Sequence, residues 1–252
     1  FTSGRLLCYD SLAMLTRLSL ELNSSPWYDD IILIDLHTHS YPKSDDSFAA
    51  VDDLIERAKE AKLDGICLTD HDFFWSKEEV DDLAKRHSFL VLPGCEINTD
   101  NGHVLIFGLD RYVFGLHKPD FLVDAVRQRD GAIIAAHPYR RRFLEDPGHL
   151  PEARREMLDR ASGDGFFGSC DAIEGVNGRG NEAQNQFSQD LGNRLEIKMT
   201  GGSDAHRVEQ IGTAATLFER KITGVDDLIR ELKGGRFRAE QLIHPQEASR
   251  TT

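Results

Sequence analysis

From residue 31 onward, short apolar runs alternate with amphipathic stretches. The run IILIDL (31–36) has the unbroken apolarity of a parallel strand buried on both faces. After a polar loop, VDDLIERAKEAKL (51–63) spaces Val51, Leu54, Ile55, Ala58 and Ala61 at helical intervals. GICLT (65–69) predicts the next strand, KEEVDDLAKRH (77–87) the next helix, and FLVLPGCEI (89–97) a further strand. HVLIFGL (103–109) follows closely and pairs in that neighbourhood. A helix near 119–128 precedes the strand AIIAA (132–136). DAIEGV (171–176), EIKMTGG (196–202) and TAATLF (213–218) read as later strands. VDDLIRELKGG (225–235) closes the pattern as a helix, with lysine and glycine at its end.

This alternation predicts an α/β fold with a mostly parallel sheet. About seven strand–helix units fit the length, which favours a closed barrel over a doubly wound open sheet. Residues 139–168 are the least regular stretch, with Pro147, Pro151 and several glycines. They predict a lid-like insertion carrying one short helix around 153–160. The domain reading is therefore an N-terminal extension over 1–30, with no assigned role, and a barrel over 31–252.

Composition narrows the class. The chain has 252 residues and a net charge of −13, which argues against gripping nucleic acid by overall charge. With 40% hydrophobic and 29% charged residues it is neither collagen-like nor wholly disordered. Cys8, Cys67, Cys95 and Cys170 lie far apart and form no CxxC pair, so no zinc ribbon or redox motif is present. Cys67 and Cys95 sit in apolar runs and read as buried small hydrophobes. A reducing, cytoplasmic setting is expected. No apolar run reaches the roughly 20 residues that cross a bilayer, and no signal peptide is evident, so no membrane partner is expected.

The metal-ligand residue types are concentrated. His37 and His39 follow the first strand, His71 the second, and His103 the strand that ends in Glu96. His137 follows AIIAA, and His206 follows EIKMTGG. In α/β barrels, residues at the C-terminal ends of strands converge on one face. His37-Thr38-His39 can aim two imidazoles at one ion, and Asp204-Ala205-His206 repeats that spacing with one oxygen and one nitrogen. Glu96 could bridge two ions. Mixed imidazole and carboxylate ligation suits Zn, Mn or Fe, and the ligands outnumber what one tetrahedral ion uses, which points to a multinuclear site. The bland reading applies to His87, His117, His149 and His244, as surface or packing residues. Phe73-Phe74-Trp75 fits a pocket mouth or ordinary packing. Of Arg140-Arg141-Arg142, Arg140 stands nearest the site, and arginine clamps phosphate oxygens with paired hydrogen bonds. Asp70 and Asp72 flank His71 and are candidates to orient it.

At these residues the chain resembles the PHP family, named for polymerase and histidinol phosphatase. The matching segments are IDLHTHS, LTDHD, GCEI, GHVLIFG, AHP and GGSDAH followed by IG, in the family order between residues 34 and 212. The resemblance implies a distorted (β/α)7 barrel, two or three divalent metal ions at its C-terminal face, and phosphoester hydrolysis. It implies that His37, His39, Glu96 and Asp204 hold one ion, and that Glu96 bridges to a second bound by His137 and His103. His71, His206 and an aspartate of the loop after His39 would hold a third. That loop, YPKSDDS, is about one residue longer than the family pattern. Asp46 fits when counted back from the helix and Asp45 when counted from the histidines; we take Asp46. The offset of His103 from Glu96 varies across the family.

The reading that results is a metal-dependent phosphoesterase in which a metal-activated water attacks phosphorus. Asp204, His206 and Arg140 are its catalytic candidates, with His206 or His39 as the proton donor to the leaving group. Its expected partner is a small phosphate monoester, a nucleotide or a short nucleic-acid end. Histidinol-phosphate phosphatase is the alternative within that chemistry. An amidohydrolase-like C–N hydrolase and a non-catalytic metal-binding accessory module are the alternatives outside it.

Overall fold

The computed structural model describes residues 31–140 and 151–242. The extension over 1–30, with Cys8, and also Arg141, Arg142, His149 and His244 lie outside the described residues. In chain order the elements are β1 (Ile32–Thr38), α1 (Val51–Glu60), β2 (Gly65–Leu68), α2 (Lys77–His87), β3 (Leu90–Pro93), β4 (Cys95–Thr99) and β5 (Gly102–Phe107). There follow α3 (Pro119–Gln128), β6 (Ala132–Ala135), α4 (Pro151–Ser162), α5 (Gly165–Gly168), β7 (Ala172–Asn177) and α6 (Glu182–Leu195). The described chain closes with β8 (Met199–Gly202), β9 (Ala214–Phe218), α7 (Val225–Gly234) and β10 (Phe237–Gln241).

Local chemistry sets several boundaries. A capping box of Ser76 and Glu79 starts α2, so two orphan amides are satisfied reciprocally. The same device, Asn181 with Gln184, starts α6, which the hydrophobic pattern does not predict. Its buried side is Phe187, Ser188, Leu191 and Gly192, too polar and small to mark an apolar stripe. The helix ends at Glu196, in the left-handed region. The strand expected over 196–202 is therefore only Met199–Gly202.

Two five-stranded sheets form, in the orders β10-β9-β1-β2-β3 and β4-β5-β6-β7-β8. The mostly parallel expectation is corrected: β1–β2, β2–β3, β6–β7 and β7–β8 are parallel, whereas β1–β9, β9–β10, β4–β5 and β5–β6 are antiparallel. The single strand expected over 89–97 divides at Gly94 between the two sheets. A Cβ at Gly94 would fall 2.7 Å from Phe107 Cε1 and 2.9 Å from Thr69 Cγ2, so glycine permits the crossing.

The sheets meet at two backbone seams. At one, the Asp204 amide donates to the His37 carbonyl (2.8 Å) and the His39 amide to the Ala205 carbonyl (2.9 Å). At the other, the Gly94 amide donates to the Leu68 carbonyl (3.0 Å) and the Glu96 amide to the Thr69 carbonyl (3.1 Å). Apolar side chains fill the space between the sheets, among them Leu36, Leu105, Phe107, Ile134 and Phe218. Further cores lie beneath α1 and α2, and beneath α3, α4 and α6. Within the irregular stretch, α4 spans more than the predicted helix and buries Met157 and Ala161. Arg154 and Arg194 tie it to α6 through Asp190 and Asp159. Cys67, Cys95 and Cys170 are buried and unpaired. Among the described residues no helix is long and apolar enough to cross a membrane.

Candidate metal centre

The seams determine where the chemistry lies. Pairing of β1 with the segment after β8 sets His37 and His39 beside Asp204 and His206. The bridge between His71 and Glu96 joins the end of β2 to β4. His137 follows β6 directly. His103 lies within a strand, at the start of β5, and just beyond the C-terminal end of β4. Because β5 runs antiparallel to β4, its first residues lie at the same end as the last residues of β4. His37 likewise lies within β1 rather than after it.

All of the expected ligand side chains gather around Glu96. Its Oε1 is 2.8 Å from His103 Nδ1 and 3.1 Å from His137 Nε2. Its Oε2 is 3.1 Å from His39 Nε2, 3.2 Å from His71 Nδ1 and 3.3 Å from His37 Nε2. Asp204 Oδ1 lies 3.4 Å from His39 Nε2, 3.6 Å from His37 Nε2 and 3.5 Å from His206 Nδ1. Asp46 Oδ2 is 2.9 Å from His206 Nε2 and 3.6 Å from His71 Nε2, so the loop aspartate at the site is Asp46. Asp46 is half exposed while His37, His39, Glu96 and Asp204 are buried; the site opens on the Asp46 side.

These contacts are those of converging ligands rather than of a finished hydrogen-bond network. Glu96 Oε2 and His71 Nδ1 are buried and have no hydrogen-bond partner, although they lie 3.2 Å apart. His37 Nε2 and His39 Nε2 face each other at 3.0 Å. Four overlapping groups bring one donor atom per residue within 4.8 Å of one another. They are His39–His71–His206, His37–His39–Glu96, His37–His137–Asp204 and His71–Glu96–His103. The set therefore fits more than one cation, with nitrogen and oxygen donors suited to Zn, Mn or Fe.

Charge coupling compensates for the burial. Burial alone would depress His39, but the neighbouring carboxylates of Asp204 and Glu96 outweigh it and lift the ring to about 9. His37 is likewise held well above the usual range, against its burial, by Glu174, Glu96 and Asp204. Burial pushes Glu96 and Asp204 upward, yet the histidines, and Arg140 for Asp204, hold both well below the usual carboxylate range. Protons on His37 and His39 thus offset part of the carboxylate charge in the cation-free protein.

Several supporting residues escape the sequence pattern. Glu174, buried on β7, has Oε1 2.9 Å from His37 Nδ1. Its Oε2 accepts from the His137 amide and from Asn177 Nδ2, each at 2.9 Å. An acid within the apolar strand DAIEGV is the signal that could have revealed it. Ser44 sits between Asp70, whose Oδ1 accepts from its hydroxyl at 2.7 Å, and His39 Nδ1 at 3.2 Å. Asp70 also accepts from the Ser40 amide and from Trp75 Nε1, and Asp72 accepts from Asn98. Neither aspartate accepts from the His71 ring, which corrects the orienting role expected of them; Ser44 reaches His71 only at its backbone amide (3.1 Å). Arg140 Nη1 donates to Asp204 Oδ2 at 2.6 Å, while its buried Nε and Nη2 have no hydrogen-bond partner. Arg179, after β7, approaches Asp204 Oδ1 from the other side at 3.5 Å. A Cβ on Gly202 would lie 2.6 Å from His37 Cβ and 2.9 Å from Glu174 Oε1, so the site also requires that glycine. His137 (φ 26°) and Asp204 (φ 53°) both adopt left-handed backbone.

The chain is similar to several known proteins. A family model described as PHP-associated matches residues 182–237. The chain is 25% identical over 233 residues to a "Probable histidinol-phosphatase" of Thermotoga maritima, covering 81% of this chain and 93% of that protein. Its fold is similar to PsfC from Pseudomonas syringae PB-5123, with TM-score 0.58, 22% identity and coverage of 88% of this chain and 96% of that one. It is also similar to a two-domain protein from Bacteroides vulgatus containing a predicted PHP-like metal-dependent phosphoesterase. There the TM-score is 0.56 and the identity 18%, over 84% of this chain and 65% of that one.

Proposed function

We propose that the chain, as a homologue of the PHP-family metal-dependent phosphoesterases, hydrolyses a phosphate monoester, on a small molecule, a nucleotide or an oligonucleotide end. The observation that carries this reading is the gathering of five imidazoles within 3.3 Å of the Glu96 carboxylate, in geometry that leaves Oε2 without a hydrogen bond. We take residues 31–252 as one domain with an irregular insertion over 139–168, and its two sheets as the halves of a distorted (β/α)7 barrel.

Two or three divalent cations, Mn, Zn or Fe, are the cofactors of this reading. His37, His39, Glu96 and Asp204 would hold one. His103 and His137, with the second oxygen of Glu96, would hold another, and His71, His206 and Asp46 a third. Bound cations of this kind bring water towards ionisation near neutral pH and neutralise phosphoryl oxygens. The chain's own groups do the rest. Glu174 accepts from His37 Nδ1–H and so turns the Nε2 lone pair towards Glu96. Arg140, tied to Asp204 by Nη1, presents its unpartnered Nε and Nη2 to phosphoryl oxygens. Where only two cations bind, His206, left beside half-exposed Asp46 at the open side, instead hands a proton to the leaving group.

Phosphate release by protein reconstituted with Mn(II) tests this reading, with Asp204→Asn as control. The panel holds an aryl phosphate, histidinol phosphate, mononucleotides and a 5′-phosphorylated oligonucleotide. Turnover that disappears in Asp204→Asn supports it; no turnover on any substrate by fully loaded protein overturns it. Preference for histidinol phosphate would select the activity named for the Thermotoga relative.

A further inference from the structure

Arg179 has no part in the reaction proposed above. It lies between Gly178 and Gly180 in the loop after β7, with its amide donating to Asn177 Oδ1 at 2.9 Å. Its Nη1 is 2.7 Å from His206 Nδ1, 3.0 Å from His206 Nε2 and 3.5 Å from Asp204 Oδ1. A neutral imidazole has one lone pair and one N–H. One of those two nitrogens therefore cannot accept from the guanidinium. The contact is that of a positive charge set among donor atoms, not of a matched hydrogen-bonded pair. The remaining donors of the group follow from that ring: Asp46 Oδ2 is 2.9 Å from His206 Nε2, and His71 Nε2 is 3.6 Å from that oxygen.

We propose that Arg179 is a built-in competitor for the outermost cation position, its guanidinium charge set against His206, the one member of the His71, His206 and Asp46 group that it touches. The inference rests on reading these residues as a cation site. Two positive charges within about 4 Å repel, so an ion entering this group displaces the guanidinium. The side chain can leave, being 38% exposed. A displaced guanidinium is also free to bind a phosphate oxygen. Ion occupancy at the outermost position and anion binding are then coupled: each draws Arg179 to the arrangement that favours the other.

Isothermal titration of the full chain with Mn(II) tests this, using wild type, Arg179→Met and Arg179→Lys. His71→Ala identifies which binding step belongs to the outermost group. In Arg179→Met that step tightens by about tenfold or more, and in Arg179→Lys it stays within about threefold of wild type. Inorganic phosphate tightens the step in wild type and not in Arg179→Met. An unchanged Kd in Arg179→Met, or equal tightening by phosphate in both proteins, overturns the proposal. Absence from wild type of any step that His71→Ala removes overturns the cation-site reading of this group, and the proposal with it. Melting curves of all variants report that each is folded.

Discussion

Replacing Glu174 by glutamine isolates the role of one buried carboxylate. Glu174 is 1% exposed and makes three contacts at 2.9 Å: Oε1 with His37 Nδ1, and Oε2 with the His137 amide and Asn177 Nδ2. Glutamine keeps the shape but makes one end a donor. Turned towards the Oε2 position, its amide group confronts two N–H donors. At about 1–3 kcal/mol for each unpaired buried group, that orientation costs about 2–6 kcal/mol. Turned towards His37, it requires that Nδ1 become an acceptor, which in the neutral, cation-binding ring leaves the proton on Nε2. The second orientation is the cheaper. It converts Nε2, 3.0 Å from His39 Nε2 and 3.3 Å from Glu96 Oε2, from a lone-pair donor into an N–H that cannot ligate. Loss of such a partner typically costs about 10–100-fold in metal affinity, or about 1.4–2.7 kcal/mol. Titration calorimetry with Mn(II) and Zn(II) measures the loss, and cation-free melting curves show that the fold survives. Equal affinity and stoichiometry in Glu174→Gln and wild type would refute the tautomer argument.

Other perturbations separate the remaining roles. The folded value of His39, about 9, lies above the unfolded value of about 6.5, so its contribution is complete below 6.5 and is lost as pH rises through 9. The cation-free melting temperature therefore falls between pH 7 and 9.5, and saturating divalent cation, which needs neutral rings, removes that fall; a flat cation-free profile contradicts the charge coupling. Asp35, raised to about 7 by burial, takes the amides of His37 (3.1 Å) and Ser203 (2.9 Å) on Oδ1. Asp35→Ala, which orphans both, costs about 2–5 kcal/mol in denaturant unfolding, and Asp35→Asn, which keeps an acceptor, less than half of that; equal losses would show that the acceptor is unimportant. Arg140→Ala lowers kcat/KM for a phosphate monoester by about 10²–10³-fold, and a change below about threefold in steady-state kinetics excludes it from the anion contact.

What the sequence displays is local. HxH at the end of one apolar run and DxH after another can be read from a few neighbouring residues, and the seam between β1 and the segment after β8 brings those two motifs together. What it hides depends on distant partners. Glu174 and His37 are 137 residues apart, and nothing near Glu174 announces the imidazole it orients. Arg179 reaches His206 across 27 residues from a glycine-flanked loop. The reversal of β5 is equally invisible, because an apolar run carries no direction, and the antiparallel pairing that returns His103 to the side of Glu96 is not written in it. Helix α6 is obscured because Ser188 and Gly192 occupy buried positions where an apolar stripe would have marked it. The orienting roles expected of Asp70 and Asp72 relied on adjacency to His71, but neighbouring side chains at a strand end point in different directions. Their carboxylates serve Ser40, Ser44, Trp75 and Asn98 instead.

The centre carries two kinds of cost. His137 and Asp204 hold non-glycine backbone at positive φ, at an expense of order 1–3 kcal/mol each. Each is fixed there by its own amide, that of Asp204 on the His37 carbonyl at 2.8 Å and that of His137 on Glu174 Oε2 at 2.9 Å. Glu96 and Asp204 are buried as anions, which is tolerable only while imidazolium or guanidinium charge stands beside them. Removing that charge without replacing it would leave buried anions unpaired. Lengthening a contact to relax the backbone would break a seam between the sheets. The arrangement is therefore preorganised for cations: protons on His37 and His39, and the guanidiniums of Arg140 and Arg179, hold the donor atoms in place beforehand. Cation binding should then displace protons and one arginine while leaving the strands where they are. Amide exchange across the β1 and β8 seam unchanged by cation loading is the expected signature, and a large gain in protection there would mean that the site forms only on binding.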